Sequence, residues 1–320
     1  MNESLASRLR QLIEEERLWH LGPLLTDPSP ETLQAFQQVW EELPPPRRQD
    51  VIDALVEQVE DHVEYDLRPI FRWLLGDSDP HVRAQAIEGL WEDESPALIS
   101  PLLYMFQHDP DPHVRAAAAT ALGRFVLLSE LGEIPEREVT PAINALIRAA
   151  HDEQEDVEVR RRALEAVSYI DEPHIRDLIE AAYYHPDLRM QASAVFSMGR
   201  NANERWGPLI LAELTSPDPE LRYEAALAAG ELALLDAIPL LRFMAEEEEE
   251  DPQIRQAAIE ALGRIGGPES ERILLRLMEA PEDFISLSAE TALDELRFMS
   301  DDVYLPPLLD FDIDLDDGVE

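Results

Sequence analysis

The 320-residue chain carries 68 acidic against 26 basic side chains, a formal charge of −42, and 45% of its residues are hydrophobic, enough for a substantial core. That surplus of negative charge repels nucleic-acid phosphates and anionic membranes, so neither is an expected partner. Every basic residue is Arg and there is no Cys, which excludes a Schiff-base lysine, a phosphate loop ending in Gly-Lys-Ser/Thr, thiolate metal sites, cysteine nucleophiles and disulfides.

The N-terminal segment MNESLASRLRQLIEEERLW scatters Glu and Arg along its length. It has no apolar core like that of a signal peptide, and no run elsewhere approaches a membrane span, so a cytoplasmic protein is expected. Leu5, Leu9, Leu12, Ile13 and Leu18 predict a first helix over residues 3–25, interrupted near Gly22-Pro23. A second helix is predicted over 31–43, stopped by Pro44-Pro45-Pro46, and a third over 47–62. Residues 1–66 therefore form a divergent helical region. No strand signal competes.

From Leu67 the pattern settles into pairs of helices, the second of each opening with an acidic-Pro step and carrying an Arg. The copies are DPHVRAQAIEGL at Asp79, DPHVRAAAATALG at Asp111, DVEVRRRALEAV at Asp156, HPDLRMQASAVFSMG at His185, DPELRYEAALAAG at Asp218 and DPQIRQAAIEALG at Asp251. Their arginines, Arg83, Arg115, Arg160, Arg189, Arg222 and Arg255, are spaced by 32, 45, 29, 33 and 33 residues, a period of stacked helix pairs. Ser286, with Ala289 and Leu293, marks a degenerate last copy, and Thr32 with Ala35 and Val39 a divergent first one. The array spans 67–299, the long interval places an insertion near 125–140, and residues 300–320 form an acidic tail.

Each copy has a direct physical reading. Asp79, Asp111, Asp156, Asp218 and Asp251 are placed to cap helix N-termini. The apolar residue before the Arg, with residues three and seven after it, makes the stripe that a neighbouring repeat must bury. The arginines are expected to bind the acidic cap of an adjacent repeat and form a ladder. The insertion reads as a lengthened helix end and loop, a spacer or a recognition loop, and the six carboxylates from Glu246 to Asp251 as a solvated turn or a contact for a basic partner or a cation. The tail from Asp301, with Asp312, Asp314 and Asp316 between apolar residues, reads as disordered, as a docking strand, or as a cover for the last repeat; it lacks the spacing of a calcium loop.

The copies resemble the HEAT-repeat family, in the short form known as phycobilisome-lyase HEAT-like repeats, marked by Asp-Pro-x-Val-Arg-x-x-Ala-x-x-Ala-Leu-Gly. The resemblance implies an all-α protein, a right-handed α-solenoid of about seven to eight helix pairs. Such solenoids imply a concave face that holds another protein. Bilin lyases with these repeats imply an alternative, a cofactor-handling subunit whose groove meets a tetrapyrrole. One enzyme with similar repeats, deoxyhypusine hydroxylase, holds two irons through His-Glu pairs; no His here precedes Glu, so that activity is not expected.

No catalytic constellation appears. The QHDPDPH turn with His108, Asp109, Asp111 and His113 is explained by capping and its prolines. The expectation is a non-catalytic scaffold or adaptor, its negative concave surface taking a protein with a basic surface or segment, without a cofactor or metal. Trp91, Arg161, Arg162, Glu165, Tyr169 and Tyr223 are the residues expected to meet that partner.

Overall fold

The computed structural model describes residues 4–248 and 250–301, and every regular element among them is helical. The elements are α1 (Leu5–Glu14), α2 (Gly22–Leu25), α3 (Pro30–Glu42), α4 (Pro45–Asp61), α5 (Arg68–Leu74) and α6 (Pro80–Glu88). They continue with α7 (Ile99–His108), α8 (Pro112–Glu130), α9 (Glu136–His151), α10 (Val157–Val167), α11 (Pro173–Tyr183) and α12 (Leu188–Asn201). The last six are α13 (Gly207–Glu213), α14 (Pro219–Glu231), α15 (Ile238–Glu246), α16 (Pro252–Ile265), α17 (Gly267–Leu277) and α18 (Asp283–Asp301). From α3 onward they alternate as first and second helices of successive pairs, and the fold is an all-α solenoid of HEAT-like repeats. The residues from 302 onward, most of the acidic tail, lie outside the described residues.

The chain divides into two compact units, the first ending at Ser197 and the second beginning at Met198. In the first, the second helices α4, α6, α8 and α10 pack each along the next; in the second, α14, α16 and α18 do the same. The buried stripe has the predicted spacing. Val82, Ala86 and Leu90, and five copies later in the array Ile254, Ala258 and Leu262, are buried. No described helix is long and apolar enough to cross a membrane.

Three local features define the helix boundaries. The first helix ends at Glu14 because Glu16 adopts a left-handed φ of 56° and the Arg17 N–H reaches back to the Leu12 carbonyl, a Schellman stop seven residues ahead of Gly22. The proline run both ends α3 and begins α4, since Pro45 occupies a first-turn position that needs no N–H donor. Most of the 125–140 segment is helix: it continues α8 through Glu130 with Phe125 and Val126 fully buried, and only residues 131–135 leave the helices before α9.

Asp79, Asp111, Asp156 and Asp251 each accept the N–H two residues on, and Asp218 accepts those of Glu220 and Leu221. The arginines bind carboxylates just ahead of the next repeat's cap, rather than the cap itself. Arg83 clasps Asp109 with both ends of its guanidinium, at 2.8 and 2.7 Å. Arg115 meets Glu155 at 2.6 Å, Arg222 meets Glu250 at 2.8 and 2.6 Å, and Arg255 lies 3.5 Å from Glu282. The same groups serve two ends, because Asp109 and Glu250 also accept the N–H of the caps Asp111 and Asp251.

Two ladder assignments change. In α12 the cap is Asp187, which accepts the Arg189 N–H, so Arg189 folds back onto its own cap at 2.7 Å. Gln191 takes the ladder place, donating to the His185 carbonyl six residues earlier as Arg83, Arg115 and Arg222 donate to Asp77, Asp109 and Ser216. At the other end, Thr32 sits in the first turn of α3, its N–H bonded to Ser29. The first rung is Arg48 on α4, four residues past the cap position Pro44, which meets Asp77 at 3.3 Å.

The hydrogen bonds from Arg222 hold the Glu250 carboxyl below its ordinary value of 4.5, against the opposing effect of burial. A carboxyl lowered on folding adds stability above its unfolded value, and that contribution is lost as pH falls through the folded value. Urea denaturation between pH 7 and 3 is therefore expected to show a shallower loss of stability below pH 4.5 in Glu250→Gln than in the parent. Identical slopes would remove the rung from the acid response.

Candidate functional site

The surface that gathers most of the sequence candidates is the α8–α10 side of the first unit. Helical spacing on α10 puts Glu158, Arg161, Arg162 and Glu165 along one face, with each arginine three or four residues from each glutamate. Arg161 pairs with Glu158 at 3.0 Å and donates to the Ser193 hydroxyl at 2.8 Å. That hydroxyl donates to Glu165 at 2.6 Å, and Arg162 bridges Glu158 and Glu165 at 2.8 and 2.7 Å. Burial pulls the Arg162 guanidinium toward neutrality, but Glu165 and Glu158 outweigh it and hold the group above its ordinary value. Its charge is therefore held within the face, as part of a closed network.

Beside this network lies a cleft of about 300 Å³, bordered by Arg124, Leu127, Arg162, Glu165, Tyr169 and Phe196. Where Gly123 and Ala166 border it, the two helices approach closely: a Cβ on Gly123 would stand 3.0 Å from the Ala166 Cα. Arg124 is the unusual member. Burial draws its guanidinium below the ordinary arginine value, opposed by Asp93 and Glu94. It donates to the Trp91 and Asp93 carbonyls, which ties α8 to the turn after α6.

The six predicted partner residues do not form one cluster. Arg161, Arg162, Glu165 and Tyr169 lie together. Trp91, 45% exposed, borders a different and smaller cleft of about 170 Å³ with Val63, Tyr65, Asp66 and Arg68. Tyr223 belongs to α14 in the second unit, where burial together with Glu224 and Glu260 raises its phenol. Sequence reasoning missed Arg124 and Ser193; the first follows Gly123 on a repeat helix, and the second holds its place only through cross-helix partners.

The His108 turn is likewise taken up by the fold. Asp109 serves Arg83, Asp111 caps α8, and His108 stacks on Tyr104 with centroids 4.7 Å apart. Among the described residues no group of three or more His, Cys, Asp or Glu could hold a metal ion.

A family model described as HEAT repeats matches residues 67–157 and 207–294. Deoxyhypusine hydroxylase-B of Oryza sativa subsp. japonica is 31% identical over 106 residues, 33% of this chain and 35% of that protein. Deoxyhypusine hydroxylase of Neurospora crassa is 33% identical over 91 residues, 28% of each. The Phaeosphaeria nodorum enzyme of the same name is 27% identical over 166 residues, 52% of this chain and 43% of that one. The chain thus matches less than half the length of each of these relatives. Among solved structures, human deoxyhypusine hydroxylase in complex with glycerol is 21% identical, with a TM-score of 0.33 over 93% of this chain and 92% of that one.

These relatives are enzymes, and they overturn the expected non-catalytic scaffold or adaptor. They equally overturn the bilin-lyase alternative, together with the phycobilisome-lyase and scaffold descriptions of the repeats. The physical side of the correction is visible on α10, where Arg161 and Arg162, the cationic members of the expected partner-binding set, are engaged by Glu158 and Glu165.

Proposed function

The chain belongs to the HEAT-repeat family, and from that premise we propose that it is a deoxyhypusine-hydroxylase-like cytoplasmic protein that takes an amine-bearing, positively charged protein segment as its ligand. Deoxyhypusine, named by its relatives, is an amine-bearing residue, so the relatives' chemistry and the charge of this chain favour the same class of ligand. The observation that carries the reading is the surplus of 42 negative charges. Much of the arginine complement is engaged internally, in rungs such as Arg83–Asp109 and in the α10 network. The acidic surplus is then left to steer and hold cations.

The residues do not fit the iron chemistry of a hydroxylase. The chain has no His-Glu pair, and the described residues offer no metal-binding group. No oxidation step is therefore derived for this protein; the inherited element is recognition of the amine.

The test is fluorescence anisotropy with one labelled peptide in three forms, bearing deoxyhypusine, lysine or norleucine at its centre among flanking lysines. Affinity is expected to fall from the first form to the last, and to weaken by about tenfold between 0.05 and 0.3 M salt as screening shortens the reach of the carboxylates. Salt-independent binding, or equal affinity for all three peptides, would remove the electrostatic reading.

A further inference from the structure

The ladder has one rung whose acid is missing. In the first unit Arg48, Arg83 and Arg115 each meet a carboxylate from the loop ahead of the next second helix, namely Asp77, Asp109 and Glu155. Arg222 and Arg255 do so in the second unit, with Glu250 and Glu282. In the Arg160 slot that loop reads His185-Pro186 before the cap Asp187. His185 replaces the acid in one of its two duties: its Nδ1 accepts the Asp187 N–H at 3.1 Å, as Asp109 accepts that of Asp111. An imidazole cannot perform the other duty, because it brings no negative charge to Arg160.

Arg160 is nevertheless posed like its counterparts. Its Nε donates to the Ala150 carbonyl, ten residues earlier, at 3.4 Å, and Arg255 donates likewise to Ala245 at 3.1 Å. The far end of Arg255 then meets Glu282, whereas Arg160 has no acid in ion-pair reach among the described residues. Asp187, the nearest acid in sequence to that loop, is committed to Arg189 at 2.7 Å.

A cavity of about 220 Å³ lies at this gap, bordered by Arg160, His185, His151, Leu164, Leu178 and Met190, with Glu153 as the acid in its lining. One water molecule takes up about 30 Å³ of liquid, so there is room for a carboxylate with a short carbon chain. Leu164, Leu178 and Met190 are buried and give the chain an apolar wall. Because Nδ1 of His185 accepts a hydrogen bond, its proton in the neutral ring sits on Nε2, which leaves the imidazole a donor.

We propose that this cavity binds a carboxylate supplied from outside the chain, which completes the Arg160 rung as Asp109 completes that of Arg83. The carboxylate comes either as a short free acid or as the end of an acidic peptide. The site is independent of the amine-binding reading, with ligands of opposite charge, so either can fail without the other. The chain's net charge opposes the approach of an anion at long range, so moderate salt favours binding here.

The experiment titrates the full chain with butyrate at about 0.15 M salt, where charges are screened beyond roughly 8 Å, and follows by NMR the Arg160 Nε–H and the methyl groups of Ala181 and Ala182, which also border the cavity. Butylammonium, with the same alkyl chain and the opposite charge, is the control. A peptide ending in a free carboxylate and its amidated form distinguish the two sources. Saturable shifts with butyrate and none with butylammonium are expected, weakened by about tenfold or more in Arg160→Gln, the usual order for loss of a charge-assisted contact. His185→Asp should place an acid in the empty half of the rung, raise the melting temperature and abolish butyrate binding. Equal shifts with both probes, unchanged binding in Arg160→Gln, or persistence of binding in His185→Asp would each overturn the proposal.

Discussion

Replacing Gly230 by leucine is expected to lower the unfolding free energy by about 3 kcal/mol, toward the upper end of the overpacking range. A Cβ at this position would stand 2.9 Å from the Ala261 Cα and 3.2 Å from its Cβ. The obstacle is backbone of the neighbouring second helix, which cannot swing aside as a flexible side chain would. Gly199 meets Ala228, and Gly263 meets Ala292, in the same manner. Glycine is present here for the approach of α14 and α16, since it weakens a helix by about 1 kcal/mol relative to alanine. Gly230→Ala separates the two effects: helix propensity alone predicts a gain, whereas the contact predicts a loss. Urea midpoints decide between them, with Gly76→Ala, where the nearest atom is 3.8 Å away, as the tolerant control. A stabilised Gly230→Ala would show that the helices do not approach this closely.

Asp77→Ala is expected to cost a comparable amount, about 3 kcal/mol, because removing one partner leaves buried groups uncompensated. Its side chain is only 6% exposed and accepts from the Ser78 hydroxyl at 3.4 Å and from three further donors. The Trp40 indole N–H lies at 2.7 Å, Arg48 at 3.3 Å and the Asp79 N–H at 2.8 Å. Arg48 also sits over the Trp40 ring, 5.8 Å from its centroid. Asp77→Asn keeps the size and one acceptor and should cost less, and Trp40→Phe should cost about 1 kcal/mol for a single lost hydrogen bond. A double-mutant cycle of Trp40→Phe with Asp77→Asn measures their coupling. Additive costs would mean that Asp77 acts only as a local turn residue.

The repeat was legible because burial repeats with the helix: Val82, Ala86 and Leu90 announce the stripe, and the same offsets return to Ile285, Ala289 and Leu293. The rungs were harder to read. Arg189 lies near the expected spacing, but Asp187 starts the helix two residues after His185, and only the three-dimensional cap reveals that Gln191 holds the slot. Arg48 was hidden because Pro44 occupies its cap position without an acidic side chain. On the candidate site, the spacing of Glu158, Arg161, Arg162 and Glu165 was visible in sequence, but Ser193 joins them from another helix. The missing acid opposite Arg160 was invisible for a similar reason, since a gap in a ladder exists only once its other rungs are known. Function was misread because the repeat residues serve stacking, and no separate motif names the activity.

The arginine ladder has a consequence on the alkaline side. Asp109 and Glu250 hold the guanidinium groups of Arg83 and Arg222 above their already high ordinary value. A lysine in those places would begin to shed its proton near pH 10.4, whereas an arginine keeps its charge beyond about pH 12. With no lysine anywhere in the chain, each rung that pairs an arginine with a carboxylate keeps both of its charges up to about pH 12. Those rungs yield toward acid, where their carboxylates protonate, well before they yield toward base.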